Sequence, residues 1–446
     1  MRMRRRRAIL LILWCIYLGS TAYGATDSLS AAPLGGSKGD SINRPTPICV
    51  ASSYLLYDLG DLGGGNLWVN HISNSGIIVG SSKDTNGTTR PCVWEFKDNE
   101  FTIEAIGSSS GSASGMNEAD EIVGSVASGY GSLACSWSRT AADTNWSAVS
   151  YAGLGGPYSG LAGMNNERVA VGWANNSQPA LRAAIWIDGG LLDLGSGEAC
   201  AINEQNGVVG FHYMYGPKRA CCWELVADIA ERTDLPLLSG ATSSEALSIN
   251  SAGEMVGNQS FTNAYNSRAC LWSSTNGMYE AHELESFGGT NSKAYDINTR
   301  GQIAGYGQDA SGTYCAAIWE QGTAVNLNHL LPDHCEWELI LAASINDQGA
   351  IVGRASVHGV YKSFLLSPHA LIQSDIQHLL GQASLSWPAL GTSFSYGIEC
   401  LDPEEALWQT VLIDGSAYVT NNSCLIPMVD GASNRWFRLN VHNHDE

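Results

Sequence analysis

The sequence predicts an all-β protein, a seven-bladed β-propeller followed by a small antiparallel β-sandwich-like module. Three observations carry this expectation. A unit of about 45 residues recurs seven times, and fixed-period self-similarity is the mark of repeat architectures. Each copy resolves into four short strands, which is the strand count of a propeller blade. The composition agrees: 50 of 446 residues are glycine and only 15% are charged, against about 7% glycine and 25% charge in an average domain. Such a chain is rich in turns and poor in the Lys, Glu and Arg that coat exposed helices, while its 44% hydrophobic residues supply a large core.

Residues 1–24 read as a signal peptide. Arg2, Arg4, Arg5, Arg6 and Arg7 form a basic n-region, Ala8 to Leu18 an apolar run, and Ala22-Tyr23-Gly24 a small-x-small cleavage site. The apolar run is too short to span a bilayer as a helix, and a loose twin-arginine pattern at Arg6-Arg7 leaves the export route open. Residues 25–52 are expected to be a flexible linker. The chain after residue 24 is expected to have no membrane span, to be monomeric, and to be secreted, periplasmic or on the cell surface. The full sequence has 43 acidic residues against 23 basic ones, with no basic cluster after the first seven residues. That excludes a nucleic-acid partner, whose phosphates require Lys and Arg.

The propeller is expected over 53–375. Its unit reads Ile-Asn-x-x-Gly-x-Ile-Val-Gly, followed by a tryptophan about 13 to 15 residues on. The copies run from Ile72, Met116, Met164, Ile202, Ile249, Ile297 and Ile345, with Ser73, Asn117, Asn165, Asn203, Asn250, Asn298 and Asn346 in the Asn slot. Trp94, Trp137, Trp186, Trp223, Trp272 and Trp319 follow, Leu366 replacing the seventh. In the tight turn the Asn side chain accepts from backbone N–H groups and Gly takes the positive φ. Arg168 and Asn206 occupy the glycine slot in copies three and four, so a changed turn is expected at Arg168. Counting strands leaves the seventh blade one short. The segment Ser53 to Leu59 is expected to complete it beside the strand near Phe364 and hide a sheet edge. An open β-solenoid is the rival architecture, and it would need shorter, more uniform rungs with polar end caps.

These repeats resemble the HAF family of probable extracellular repeats, named for a His-Ala-Phe tripeptide before the tryptophan. The tripeptide has drifted to Arg90-Pro91-Cys92, Leu133-Ala134-Cys135, Arg182-Ala183-Ala184, Arg219-Ala220-Cys221, Arg268-Ala269-Cys270, Cys315-Ala316-Ala317 and Lys362-Ser363-Phe364. The linkers Leu62-Gly63-Gly64, Leu154-Gly155-Gly156 and Phe287-Gly288-Gly289 are also similar to the family's. The resemblance implies export and a repetitive β fold; it implies no established activity and no catalytic residues.

Cys92, Cys135, Cys221 and Cys270 share one strand position and read as buried free thiols, because equivalent positions in neighbouring blades do not face one another. Residues 376–446 break the pattern. Leu385 to Trp387, Phe394 to Cys400, Trp408 to Ile413 and Trp436 to Val441 alternate like strands, and the segment looks like a fibronectin type III-like end module. Cys400 and Cys424 are its disulfide candidates.

No metal or cofactor motif appears; the ligand-type residues His329, Asp333, His334, Cys335 and Glu336 have no recognised metal spacing and read as a solvated loop. No catalytic residue is assigned. Aromatic residues recur between the closing Gly and the third strand in six of seven copies, and connectivity puts those loops on one face. Rings of this kind stack on ligands at low entropic cost. Trp173, Tyr213, Tyr215, Tyr265 and Tyr306 are the ligand-binding candidates. The expected function is secreted, non-catalytic recognition of a glycan or protein, and the alternative is an extracellular hydrolase or lyase. An enzyme should break the repeat with acidic residues on inner strands; Asp296, before Ile297, is the only acidic residue just inside an Ile-Asn signature.

Overall fold

The computed structural model describes residues 49–50, 54–65, 67–97, 100–139, 145–214, 216–226, 229–261, 266–331 and 335–368, together with the strands of the C-terminal segment. The expected signal peptide and nearly all of the expected linker lie outside the described residues. The chain divides into two compact units, one spanning Pro47–Pro368 and the other containing His369–Glu446. The described residues of both are all-β, apart from one 3-10 turn at Leu327–Leu330.

Within Pro47–Pro368 the strands pair as seven antiparallel groups, six of four strands and a seventh of five, in which Cys49–Val50 adds to the outer edge. The first is Trp68–Ile72, Ile78–Lys83, Thr89–Lys97 and Glu100–Ala105, and the fifth is Ala241–Ile249, Met255–Phe261, Ser267–Thr275 and Met278–Glu283. Units three and four share the long strand Gly190–Ile202: its first half pairs with Leu181–Ile187 and its second with Gly207–Tyr213. That sharing accounts for the short interval between Asn165 and Asn203. The seventh unit takes Trp337–Ile345, Ile351–Val357 and Val360–Pro368 from the end of the chain and Tyr54–Asp58 from its beginning, with Asp58 opposite Phe364. The missing strand is thus supplied where the strand count requires it.

Each closing glycine of the signature answers to a close approach. Every first strand carries a β-bulge opposite it, as between Val69 and His71 or Ala294 and Asp296. A Cβ on Gly80, Gly257 or Gly305 would lie 2.0 Å from the carbonyl oxygen of Trp68, Glu245 or Lys293 respectively, which no side chain tolerates. The linker glycines are explained as a pair. Gly63, Gly155 and Gly288 have φ of 89°, 92° and 98°, and a Cβ on the next glycine would meet a backbone oxygen of the second strand's end, at 2.2 Å for Gly64.

Among the described residues of Pro47–Pro368 the core consists of seven hydrophobic clusters, each shared between consecutive units, the last lying between units seven and one. Trp272 packs with Met255 and Cys270 of its own unit against Val209, Ala220 and Cys222 of the unit before. Trp94 packs against Leu59, Ala350, Val352 and Leu365 of the seventh. The repeated tryptophans thus fill the space between consecutive units. Trp186, Trp272 and Trp319 also donate Nε1–H to the linker carbonyls of Ala152, Pro236 and Glu285 at 2.8–2.9 Å. Cys92, Cys135, Cys221 and Cys270 are buried free thiols, as expected. Burial pushes Cys92 and Cys270 up to about 12, which removes thiolate reactivity. Cys335 is disulfide-bonded.

The signature asparagines do more than shape their own turns. Asn298 Oδ1 accepts from the N–H groups of Arg300 and Gln302, both at 3.0 Å. Its Nδ2 donates to the carbonyl of Asn346, the equivalent residue of the next unit, at 3.0 Å. Asn117, Asn165, Asn203, Asn250 and Asn346 repeat the pattern, the last donating to Ser73. The chain of amides therefore runs from unit to unit. The changed turn expected at Arg168 is not found: Arg168 keeps the turn with φ 64°, as Asp120 and Asn206 do at 59° and 61°. Its guanidinium is held by both carboxylate oxygens of Glu121 at 2.7 and 2.9 Å.

In His369–Glu446 the strands form two antiparallel sheets. Gln377–Leu379, Gln382–Ser386 and Ser423–Pro427 make one. Phe394–Asp402 pairs with Leu407–Val411, Tyr418–Val419 and Trp436–Asn443 in the other. Cys400 and Cys424 stand in different sheets, and their side chains lie outside the described residues. Among the described residues no helix is long and apolar enough to cross a membrane.

Candidate functional site

In every unit the first and second strands meet at one cross-strand pair, one residue beyond the closing glycine. The pairs are Trp68 with Ser81, Ser112 with Ser125, Gly160 with Trp173, Glu198 with Phe211, Glu245 with Asn258, Lys293 with Tyr306, and Leu341 with Arg354. Each first strand also touches the first strands of the neighbouring units, the seventh touching the first. These pairs line one rim. The buried positions beside them hold repeated small or branched residues such as Val69, Ala113, Ala199, Ala246, Ala294 and Ala342. The pairs themselves hold nearly every kind of side chain.

On one side of the rim charges cluster. Glu245 accepts from Lys218 Nζ at 2.7 Å and from Lys293 Nζ at 2.5 Å. Burial alone would raise its carboxyl; the two lysines overcome that and hold it below the usual carboxylate range. Glu198, at the equivalent place one unit earlier, is pushed up by burial, with Lys218 opposing and Glu245 adding to the shift. Two carboxylates at one register are thus driven in opposite directions. Lys218 Nζ also lies 4.0 Å from the centre of the Phe211 ring.

Rings flank these charges. Tyr306 stands 5.9 Å from Tyr295 and 5.3 Å from Tyr314 by ring centres. Tyr213 is 40% exposed and meets Phe211 edge-on at 5.7 Å. Trp173 lies over Gly160, where an added Cβ would come within 3.2 Å of its ring; the glycine makes room for the indole. Trp173 and Tyr306 therefore stand in second strands rather than in loops, and Tyr213 ends one. Tyr215 and Tyr265 lie outside the described residues. At units seven and one, the Arg354 guanidinium carbon is 4.0 Å from the centre of the Trp68 ring and 3.9 Å from that of Tyr361.

Asp296 proves to be a brace. It accepts from Ser248 Oγ at 2.8 Å and Ser344 Oγ at 2.6 Å, and from the N–H groups of Ile297 and Ile345, tying three units together. Among the described residues no three His, Cys, Asp or Glu side chains are placed to hold a metal ion.

No family model matches the chain, and no curated protein does. Solved structures similar to it include TolB from Acinetobacter baumannii, 12% identical with a TM-score of 0.35, covering 65% of this chain and 63% of that one. Trypanosoma rangeli sialidase is 9% identical with a TM-score of 0.36, covering 73% and 58%. The β-propeller domain of the Trilobed protease from Pyrococcus furiosus is 10% identical with a TM-score of 0.32, covering 72% and 91%. The chain spans less than two thirds of the length of the first two.

Proposed function

We propose that the chain is an exported recognition protein whose seven units are the blades of one β-propeller, and that a glycan or protein ligand binds at the rim of first strands. The observation that carries this reading is a contrast. The inter-unit cores keep a tryptophan in six of seven units and apolar residues at each equivalent position, whereas the rim pairs diverge into Trp68, Trp173, Phe211, Tyr306, Lys293 and Arg354 beside Glu198 and Glu245. Repeats diverge freely where neighbours do not constrain them, and aromatic rings mixed with charges are the composition of a binding surface. The HAF-like signature and the basic, apolar leader at 1–24 support export. The test is a glycan array and pull-down with the chain after residue 24, comparing wild type with a Trp173→Ala, Tyr213→Ala double variant. Two stacking rings at about 1 kcal/mol each predict a loss of roughly 10- to 100-fold with little change in melting temperature. Unchanged binding would refute the rim as the site.

A second reading, a hydrolase or lyase, draws on Glu198 and Glu245. Carboxylates pushed in opposite directions are the starting point of acid–base division of labour. Release of reducing ends from a polysaccharide, lost in Glu198→Gln, would favour it over binding alone.

A further inference from the structure

We propose that Arg354, held between Trp68 and Tyr361, seats a carboxylate, so that the rim takes an acidic sugar, a uronic acid residue of a polysaccharide, in preference to a neutral one. The inference rests on the recognition reading above and narrows its ligand.

Arg354 belongs to the second strand of unit seven and stands directly across the ladder from Ser363. The Arg354 guanidinium carbon lies 4.0 Å from the centre of the Trp68 ring and 3.9 Å from that of Tyr361, so two rings crowd the faces of the group. What remains is the edge, a planar fork of N–H donors. Among the described residues Arg354 has no ion pair, and its Nε is buried without a hydrogen-bond partner. Elsewhere Arg90, Arg168, Arg182 and Arg232 each hold a carboxylate. Arg219 and Arg300 also lack an ion pair among the described residues, and Arg354 differs from them in its buried, unpartnered Nε.

The second orphan lies beside the first. Ser363 is 1% exposed, and its Oγ also lacks a partner. Residues directly opposite in an antiparallel ladder share a face, with Cβ atoms about 5 Å apart. A buried donor left unpaired costs about 1–3 kcal/mol, and more when it is charged. A carboxylate meets the accessible part of the half-buried guanidinium first, and these two buried donors become its partners only as the exposed Tyr361 ring moves aside.

The chemistry of that ligand follows from the donors. A carboxylate is planar and accepts from a guanidinium edge in two parallel hydrogen bonds. One guanidinium balances one negative charge, whereas a dianionic phosphate would be undercompensated in a chain of net charge −20. Trp68 and Tyr361 remain 44% and 56% exposed, leaving ring surface for the apolar face of a pyranose.

The test titrates the protein after residue 24 with uronate oligomers (polygalacturonate, alginate and glucuronan fragments), with neutral galactan and glucan oligomers, and with a Glu-rich peptide. The expected result is uronate binding at least tenfold tighter than neutral binding. Arg354→Gln should bring uronate down to the neutral level and leave the neutral affinity unchanged, and Arg354→Lys should not restore it, since a point charge lacks the fork. Should Arg354→Gln fail to fold, Ser363→Ala is expected to weaken uronate selectively by several fold. If wild type binds sugars without preferring uronates, if Arg354→Gln or Ser363→Ala leaves uronate binding unchanged, or if the peptide alone binds through Arg354, this inference is overturned while recognition at the rim stands. If wild type binds no sugar and no peptide, the recognition reading itself fails and takes this inference with it.

Discussion

Asn298→Ala separates a residue that shapes its own turn from one that also joins units. The side chain is 4% exposed and makes four hydrogen bonds: from Arg300 N and Gln302 N, to Asn346 O, and to Gln302 Oε1. Alanine removes all four. Water can reach Arg300, which is exposed, and Asn346 O keeps the N–H of Gly349. The loss is therefore about three net hydrogen bonds at about 1 kcal/mol each, or roughly 3 kcal/mol. Asn298→Ser imitates the native exception, Ser73, whose Oγ accepts the N–H of Ile77 at 3.1 Å. It keeps part of the turn and loses the bond between units, for about 1–2 kcal/mol. Asn298→Asp keeps both turn acceptors but turns an oxygen toward Asn346 O, so it should cost at least as much as Ser. Urea melts at 25 °C, followed by tryptophan fluorescence, measure all three. If Ser is as stable as wild type, or Asp is neutral, the inter-unit donation contributes nothing and the argument is wrong.

Trp272→Ala should cost roughly 3–5 kcal/mol as a large-to-small core change, because the indole is fully buried between units and holds Pro236 O at 2.9 Å; a loss below about 1 kcal/mol in the same melts would put it at the surface. Glu198→Gln should raise the melting temperature at pH 7. Its folded carboxyl lies above the usual range because burial disfavours the charge, so the folded state binds more protons and stability falls as pH rises through and above the unfolded value. Below that value both states are protonated, so thermal melts should show the advantage of Gln shrinking as pH drops to 4; an advantage that grows instead would reverse the sign of the shift.

The repeat, its strands and the place of the closing strand were legible because each depends on interactions that recur or on a count that must balance. The Asn-x-x-Gly turn is local, and its acceptor geometry follows from the residue types. The donation to the next unit was not legible, since nothing in one copy says which carbonyl the next presents. Arg168 misled for a related reason. Backbone preference alone disfavours φ of 64°, by roughly 1–2 kcal/mol for a left-handed residue, but the turn is fixed by Asn165, whose Oδ1 accepts the N–H of Val169 at 3.0 Å, and the arginine gains Glu121. Three contacts outweigh one residue's preference.

The site was half visible. Aromatic residues after the closing glycine marked Trp173 and Tyr306, yet the residues opposite them, on the other side of the turn, went unread. A scan pairing positions across each turn would have set Glu198 beside Phe211 and Lys293 beside Tyr306. Nothing in the sequence joins Arg354 to Trp68, which meet only because unit seven packs on unit one. The same packing gives the rim its sign. Lys218, Lys293 and Arg354 stand against the two carboxylates Glu198 and Glu245, the second shared by two lysines, so cations outnumber carboxylates among these rim residues. Long-range repulsion from an acidic surface is screened beyond about 10 Å at 0.1 M salt. At hydrogen-bond distance an approaching anion meets these rim cations rather than the net charge of the chain, and the proposed carboxylate ligand depends on that local excess.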